Sequence, residues 1–369
     1  MNGPITFGIV GGAWRAEFFF RIAQALPKSF QIVGCVARTQ ATRSRIEGSW
    51  GIRTFGAIGE LAELKPAFVV TSVPWAASAP IILELASHDI AVLAETPPAQ
   101  DLDAMVHLWK ALPPNARIQV AEQYQFQPLH AARLALTRSG LLGEIHQVQI
   151  SVAHGYHGVS LIRRFLGIGF ENATIRAVGF KSPIVAGPTR AGAPAEEQKI
   201  LRTQVIASLE FEGKLAVFDF VEDQYFSWIR AHRVLVRGDR GEINNLDVRY
   251  LMNFETPMEM KLERIDAGQT GNLEGHHHKG YVCGGAWWYR NPFAPARLSD
   301  DEIAIATCLG SMTRYLETGE PFYGLAEGCQ DHYLSILIDR AVATGGPVES
   351  GAQIWAETAA DSGSKGTQT

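Results

Sequence analysis

The stretch Ser151-Val152-Ala153-His154-Gly155-Tyr156-His157 places two imidazoles and a phenol within one short piece of chain. A neutral imidazole accepts a proton near neutral pH, and a tyrosine does so when its pKa is lowered. As a strand, this segment would put His154 and Tyr156 on one face and His157 on the other, with Gly155 interrupting the alternation. Glu122 and Tyr124 add two more titratable groups upstream. Once buried, such groups need partners, so they serve either a substrate or the structure. The chemistry suggested is proton removal from a hydroxyl or from a carbon acid.

A second set of residues suits a nucleotide. Gly8-Ile9-Val10-Gly11-Gly12-Ala13-Trp14-Arg15-Ala16 lies between an apolar run and a helical pattern. A pyrophosphate can meet exposed N–H groups and the positive end of a helix there. The motif reads Gly11-x-Ala13-x-x-Ala16, with alanine at two positions that are usually glycine but must only be small. At the end of the next apolar run, Ala37-Arg38-Thr39 replaces the acidic residue that binds ribose hydroxyls. Arg38 could hold the 2′-phosphate of NADP or stack on the adenine of NAD.

These groups need a scaffold. Continuously apolar runs at Ile5–Val10, Gln31–Val36, Phe68–Val73, Ala91–Ala94 and Arg117–Ala121 alternate with helical segments such as Arg15–Leu26 and Ser78–Ser87. That pattern predicts a parallel sheet covered on both faces. After Gln123 comes a helix at His130–Ser139. Strand-like runs follow at Glu144–Ala153, Thr174–Lys181, Thr203–Phe211, Lys214–Phe220, Arg233–Val236 and Asp247–Phe254. Strands without intervening helices predict an antiparallel sheet. Ser299–Leu316 and Leu325–Thr344 read as helices, the first capped by Ser299. Gly187–Glu197 reads as a loop. The expected division is a Rossmann domain over 1–123, an α+β domain over 124–357 and a small, polar, mobile tail over 358–369.

Ala94-Glu95-Thr96-Pro97 is a landmark by which the chain resembles the glucose–fructose oxidoreductase, inositol dehydrogenase and rhizopine-catabolism (Gfo/Idh/MocA) family. The likeness spans nearly the whole chain. It takes in the glycine turn, Val73-Pro74-Trp75, Gln123 through Pro128, and His157 followed by Leu166-Gly167. It implies an α/β Rossmann domain with a parallel sheet and a C-terminal α+β domain with a large, mostly antiparallel open sheet. It also implies an NAD or NADP cofactor, and a homo-oligomer formed through that sheet. The cofactor would be bound by Gly11, Gly12, Ala13, Trp14, Arg15, Arg38, Ser72, Pro74, Trp75, Glu95, Thr96 and Gln123. His157 matches the family's proton acceptor, with Tyr156, His154 and Tyr124 beside it.

The chain departs from the family where chemistry is done. Thr96 stands where a lysine usually assists proton removal. Ala153 and Ser160 replace aspartates, and Trp75 and Ser78 replace an asparagine and a histidine. Some relatives cleave glycosides by transient oxidation at C3, elimination, water addition and re-reduction, a scheme that needs two proton acceptors. The missing lysine and the His154/Tyr156/His157 cluster suit such an NAD-dependent glycosidase. The alternatives are a plain sugar or inositol dehydrogenase and a nucleotide-binding sensor without chemistry. Lys181, followed by Ser182-Pro183, which should turn the chain and fix the direction of that lysine, could recognise an anionic carbohydrate such as a sulfoquinovoside. Arg164, Glu122 and Tyr124 would complete the substrate set, and Arg163, Arg190 and Arg230 add positive charge.

The remaining features narrow the class. The chain has 369 residues, 46% hydrophobic and 19% charged, with a formal net charge of −5, which suits two folded domains. No basic stripe favours nucleic acid. No apolar run reaches the length of a membrane helix. The start, Met1-Asn2-Gly3-Pro4, lacks the layout of a secretory signal, so a cytoplasmic protein with four reduced cysteines is expected. His276-His277-His278-Lys279 has no carboxylate at ligand spacing, and no metal is expected. Trp287-Trp288-Tyr289-Arg290 could stack on a sugar or pack in a core or interface.

Overall fold

The computed structural model describes residues 3–268 and 275–356; the tail expected at 358–369 lies outside them. The first domain alternates strand and helix. Its elements are β1 (Ile5–Val10), α1 (Ala16–Ala25), β2 (Phe30–Val36), α2 (Gln40–Trp50), β3 (Thr54–Phe55), α3 (Ile58–Ala62), β4 (Phe68–Thr71), α4 (Trp75–Ser87), β5 (Val92–Ala94), α5 (Leu102–Ala111) and β6 (Ile118–Val120). The strands form one parallel sheet in the order β3-β2-β1-β4-β5-β6. The order reverses direction next to β1, which opens a crevice beyond the carboxyl ends of β1 and β4. Strand β3 and helix α3 are too short to announce themselves in the sequence. On α1 the buried residues are Ala16, Phe19, Phe20 and Ile22; Phe18 and Leu26 are only partly covered.

The chain then runs through α6 (Pro128–Arg138), β7 (Ile145–Ser151), α7 (Gly155–Leu166), β8 (Thr174–Val185), β9 (Lys199–Phe211), β10 (Lys214–Val221), β11 (Arg233–Gly238), β12 (Gly241–Asn244), β13 (Asp247–Leu251) and β14 (Pro257–Lys261). After these come β15 (Glu263–Ala267), β16 (His277–Cys283), β17 (Ala286–Arg290), α8 (Asp300–Thr318), α9 (Leu325–Thr344) and β18 (Val348–Glu349). The large sheet has nine strands in the order β14-β13-β12-β11-β7-β10-β9-β8-β18. Every pairing is antiparallel except β7 with β10. Strands β15–β17 make a separate antiparallel sheet.

Two expectations need correction here. The strand expected over Glu144–Ala153 ends at Ser151, and a helix, α7, begins at Gly155. Its polar side, which carries His157, Ser160 and Arg163, is buried along with its apolar side. Ser182-Pro183 does not turn the chain either. Strand β8 continues through it to Val185, paired to β9 along its whole length. The expected loop at Gly187–Glu197 is the tip of that long hairpin.

Helix α8 crosses back to the first domain. Its Ile303, Ile305, Ala306, Cys308, Leu309 and Met312 share a core with Phe7, Phe19, Phe20 and Phe68. Helices α7 and α9 pack on each other, and α9 packs against β8. The fully buried Arg163 joins α7 to α9. Among the described residues no helix is long and apolar enough to cross a membrane. All four cysteines are unpaired and buried.

Candidate active site

The glycine turn sits where β1 ends. Gly11 has φ +112, and a Cβ there would collide with the Ser72 carbonyl oxygen after β4, so only glycine lets the two loops close together. A cavity of about 850 Å³ opens beside this turn. The first domain lines it with Ala13, Trp14, Arg15, Ser72, Pro74, Trp75, Glu95, Thr96 and Gln123. The second contributes Tyr124, His154, Tyr156, His157 and Tyr225. Glu122 lies behind them, almost fully buried.

Helix α7 positions the reactive groups. His154 is its N-cap, and Tyr156 and His157 lie in its first turn. His157 Nδ1 is 2.6 Å from Glu122 Oε2, while the other Glu122 oxygen accepts a hydrogen bond from the Tyr124 backbone N–H. With Nδ1 engaged, Nε2 is the ring nitrogen left for the cavity. Burial pushes the Glu122 carboxyl up to about 8. Burial, followed by the charge of Arg15, holds the His157 imidazole far below its ordinary value. The pair therefore keeps one shared proton at neutral pH. In that state the carboxyl donates to Nδ1 and Nε2 carries the ring hydrogen. When the proton leaves, Nδ1–H donates to the carboxylate and Nε2 presents a lone pair.

The neighbouring groups are held differently. The Tyr225 hydroxyl oxygen accepts from the His154 backbone N–H and lies 2.5 Å from His154 Nδ1. Which of the two donates in this contact follows the tautomer of the imidazole. Burial lowers His154 to about 3 and raises Tyr225 to about 12. Burial also raises Tyr124 and Tyr156 above their ordinary values. The lowered tyrosine pKa considered for Tyr156 is not found, and the phenols stay protonated. They can donate hydrogen bonds but are poor bases. One pair, Glu122–His157, is set to accept a proton.

A fixed cation stands across the cavity. Arg15 Nε donates to Glu95 Oε1 at 2.8 Å, and both side chains are largely covered. Burial works against the Arg15 charge, but Glu95 more than offsets this and raises its pKa. Arg190, at the tip of the β8–β9 hairpin, lies 3.7 Å above the Trp14 ring and 5.5 Å from Phe226. It thus spans from the second domain to the nucleotide turn. Among the described residues it has no carboxylate partner.

The residues present fit a nicotinamide dinucleotide. The Gly11 cradle admits a close approach to the backbone, and helix α1 starts directly beyond it. Gln123 Oε1 is buried and lacks a hydrogen-bond partner, so an amide N–H could use it. Arg38 is exposed at the end of β2. Arg43 reaches the same strand end, donating to the Ala37 and Arg38 carbonyls.

Some expected residues fall elsewhere. Lys181 is exposed on β8 and Arg164 stacks on Tyr323 at 4.6 Å; neither lines the cavity. Trp287 lies in β17 with Arg290 over its ring, also away from it. His278 Nδ1 bonds Asp266 Oδ1 at 2.8 Å. Among the described residues no cluster of three His, Cys, Asp or Glu could hold a metal. The sequence reading missed Tyr225, Phe18 and Arg21, and also Ser299, Asp301 and Glu302 at the start of α8, all of which line the cavity. Arg21 pairs with Glu302 at 2.6 Å, and Gln127 donates to Asp301 at 2.6 Å. The Ser299/Glu302 capping box was legible as a helix start, but nothing local marked it as a cavity wall.

No protein-family profile matches the chain, and no curated protein matches it in sequence. Solved structures do share its fold. One is an oxidoreductase from Agrobacterium radiobacter in complex with NAD+, L-tartaric acid and magnesium, at 15% identity, covering 94% of this chain and 98% of that one, TM-score 0.64. Another is a levoglucosan dehydrogenase in complex with NADH and levoglucosan, at 13% identity, covering 94% and 99%, TM-score 0.67. A third is the WlbA dehydrogenase from Bordetella pertussis in complex with NADH and UDP-GlcNAcA, at 14% identity, covering 95% and 100%, TM-score 0.62. The chain is thus similar over almost its whole length to two-domain oxidoreductases, and what it shares with them is the fold.

Proposed function

We propose that this chain is a nicotinamide-dependent enzyme that oxidises a hydroxyl-bearing carbon of a carbohydrate, with Glu122–His157 as proton acceptor. The observation carrying this reading is the 2.6 Å Nδ1–Oε2 contact inside a cavity that the glycine turn also lines. Structures of the same fold hold NAD+ or NADH, and one holds levoglucosan. A bound nicotinamide supplies the hydride acceptor. The protein's part is to take the hydroxyl proton at His157 Nε2 while Glu122 stabilises the resulting imidazolium. Tyr156, Tyr225 and His154 hold hydroxyls in place. Arg15, paired with Glu95, gives the cavity the fixed positive charge that Thr96 cannot.

The test is to incubate the protein with NAD+ or NADP+ and a panel of sugars and glycosides, following reduced nicotinamide and aglycone release together. Stoichiometric reduction without cleavage supports the dehydrogenase. Cleavage without accumulation of reduced cofactor supports the glycosidase. Cofactor binding with neither outcome leaves a sensor. If the substrate is anionic, as a sulfoquinovoside would be, Arg190 is better placed than Lys181 to meet it.

The pair also sets a pH dependence. Because Nε2 gains its lone pair only when the shared proton leaves, kcat/KM for oxidation should rise with pH to about 8 and then level off. In Glu122→Gln that limb should disappear and the plateau should fall. A flat profile in the unaltered protein would remove the pair from the rate.

NAD is the proposed cofactor, and Arg38 tests the alternative. Arg38→Ala should weaken NADP+ binding about tenfold or more while changing NAD+ binding little, if the guanidinium meets a 2′-phosphate. Equal effects in calorimetry would show that it does not. Assembly through the large sheet is also proposed. Val178 and Phe180 (both 58% exposed) and Ile206 (40%) stand together on the sheet, an apolar patch of the kind that marks a contact surface.

A further inference from the structure

A second cavity, of about 480 Å³, adjoins the reaction cavity. Trp75, His154 and Tyr156 line both. Its floor is apolar, made by the buried Phe218 and Phe220 of β10. Arg202, Glu222 and Asp339 stand exposed around its mouth. Trp75 is 48% exposed, although Tyr156 and His332 lie edge-on to it with centroids at 6.1 Å. An indole fixed by two neighbours with a free face suits an apolar ring face.

His332 supplies an independent signal. It is 5% exposed, and its Nε2 lies 3.1 Å from the Gln100 carbonyl oxygen. That contact requires the ring hydrogen on Nε2, so Nδ1 is an acceptor. Nδ1 is buried and has no partner. Leaving such a lone pair unsatisfied is costly, and a hydroxyl donor would relieve it.

We infer that this second cavity is a subsite for a second ring of the substrate, stacked on Trp75 and donating a hydroxyl hydrogen bond to His332 Nδ1. The substrate is then a glycoside, such as a disaccharide, with one ring at His157 and the next beyond Tyr156. This rests on the carbohydrate-oxidation reading above. It adds that a free monosaccharide fills only half of the site.

The experiment uses matched probes: methyl β-glucoside with cellobiose, methyl β-galactoside with lactose, and methyl α-glucoside with maltose. Affinity is measured by calorimetry without cofactor, and initial rates by nicotinamide reduction. In at least one pair the disaccharide should bind about tenfold tighter or better. Thr203 lines the second cavity from an exposed position on β9, where an aromatic residue suits the strand. Thr203→Trp should fill the cavity and reduce that preference to about twofold or less. His332→Phe should lower disaccharide affinity severalfold. Equal affinity within every pair, no binding in any pair, or a preference that survives Thr203→Trp overturns the subsite. A disaccharide preference without nicotinamide reduction keeps the subsite and rejects the oxidation reading. Reduction without a preference does the reverse.

Discussion

His157→Ala should lower turnover by about 10²-fold or more while leaving nicotinamide binding nearly intact. Among the described residues, the imidazole is the only ring in the cavity with a nitrogen tied to a carboxyl group, at 2.6 Å. Its removal takes away both the acceptor atom and the link that lets Glu122 stabilise the proton once it has moved. Tyr156 and Tyr124 cannot take its place, because burial keeps their hydroxyls protonated. His154 is also a poor substitute, since burial and its neighbour His157 oppose its protonation. Cofactor affinity should change little, because the proposed cofactor contacts lie on the other domain. Steady-state rates beside calorimetric affinities for NAD+ decide the matter. Turnover within tenfold of the unaltered protein would mean that another group accepts the proton.

Arg163→Met should destabilise the fold by about 3–5 kcal/mol. This guanidinium is 2% exposed. It donates to Asp331 Oδ1 at 2.6 Å, to Glu327 Oε2 at 2.7 Å, and to the Gly169 and Glu327 carbonyls. These bonds fasten α7, which carries the reactive residues, to α9, which carries His332. Burial already pushes Asp331 up to about 7 against the pull of Arg163. Without the cation, its carboxyl would be left buried beside Glu327 with no counter-charge. A urea titration of the variant should show an earlier midpoint, and Arg163→Met combined with Asp331→Leu should recover part of the loss. An unchanged midpoint would mean that the helices are held by apolar packing alone.

The first domain was legible because its signal is local. Continuous apolar runs separated by helical periods specify buried parallel strands, and the small residues at Gly11, Ala13 and Ala16 mark the turn between β1 and α1. The order of short motifs then located Glu95, Thr96, Gln123 and His157. What stayed hidden was either buried all round or contributed from a distance. Helix α7 carries a helical period, but 151–157 read as the end of a strand, and its polar residues His157, Ser160 and Arg163 are buried rather than turned to solvent. Glu122 was noticed as a titratable group, yet its pairing with His157 spans 35 residues and depends on how the domains meet. Tyr225 and the start of α8 reach the cavity through folding of the second domain, so no spacing rule points to them. Lys181 misled because Ser182-Pro183 suggested a turn, whereas long pairing with β9 keeps the strand extended.

Helix α8 has a consequence for how this protein is made. Residues 303–312 fill part of the core that β1, β4 and α1 begin. During synthesis an N-terminal domain ordinarily folds before the rest of the chain emerges. Here the nucleotide-binding half waits with an apolar face uncovered until residues 303–312 have left the ribosome. The two halves are therefore completed together, and neither is a module that can be cut away at residue 123 with its interior intact.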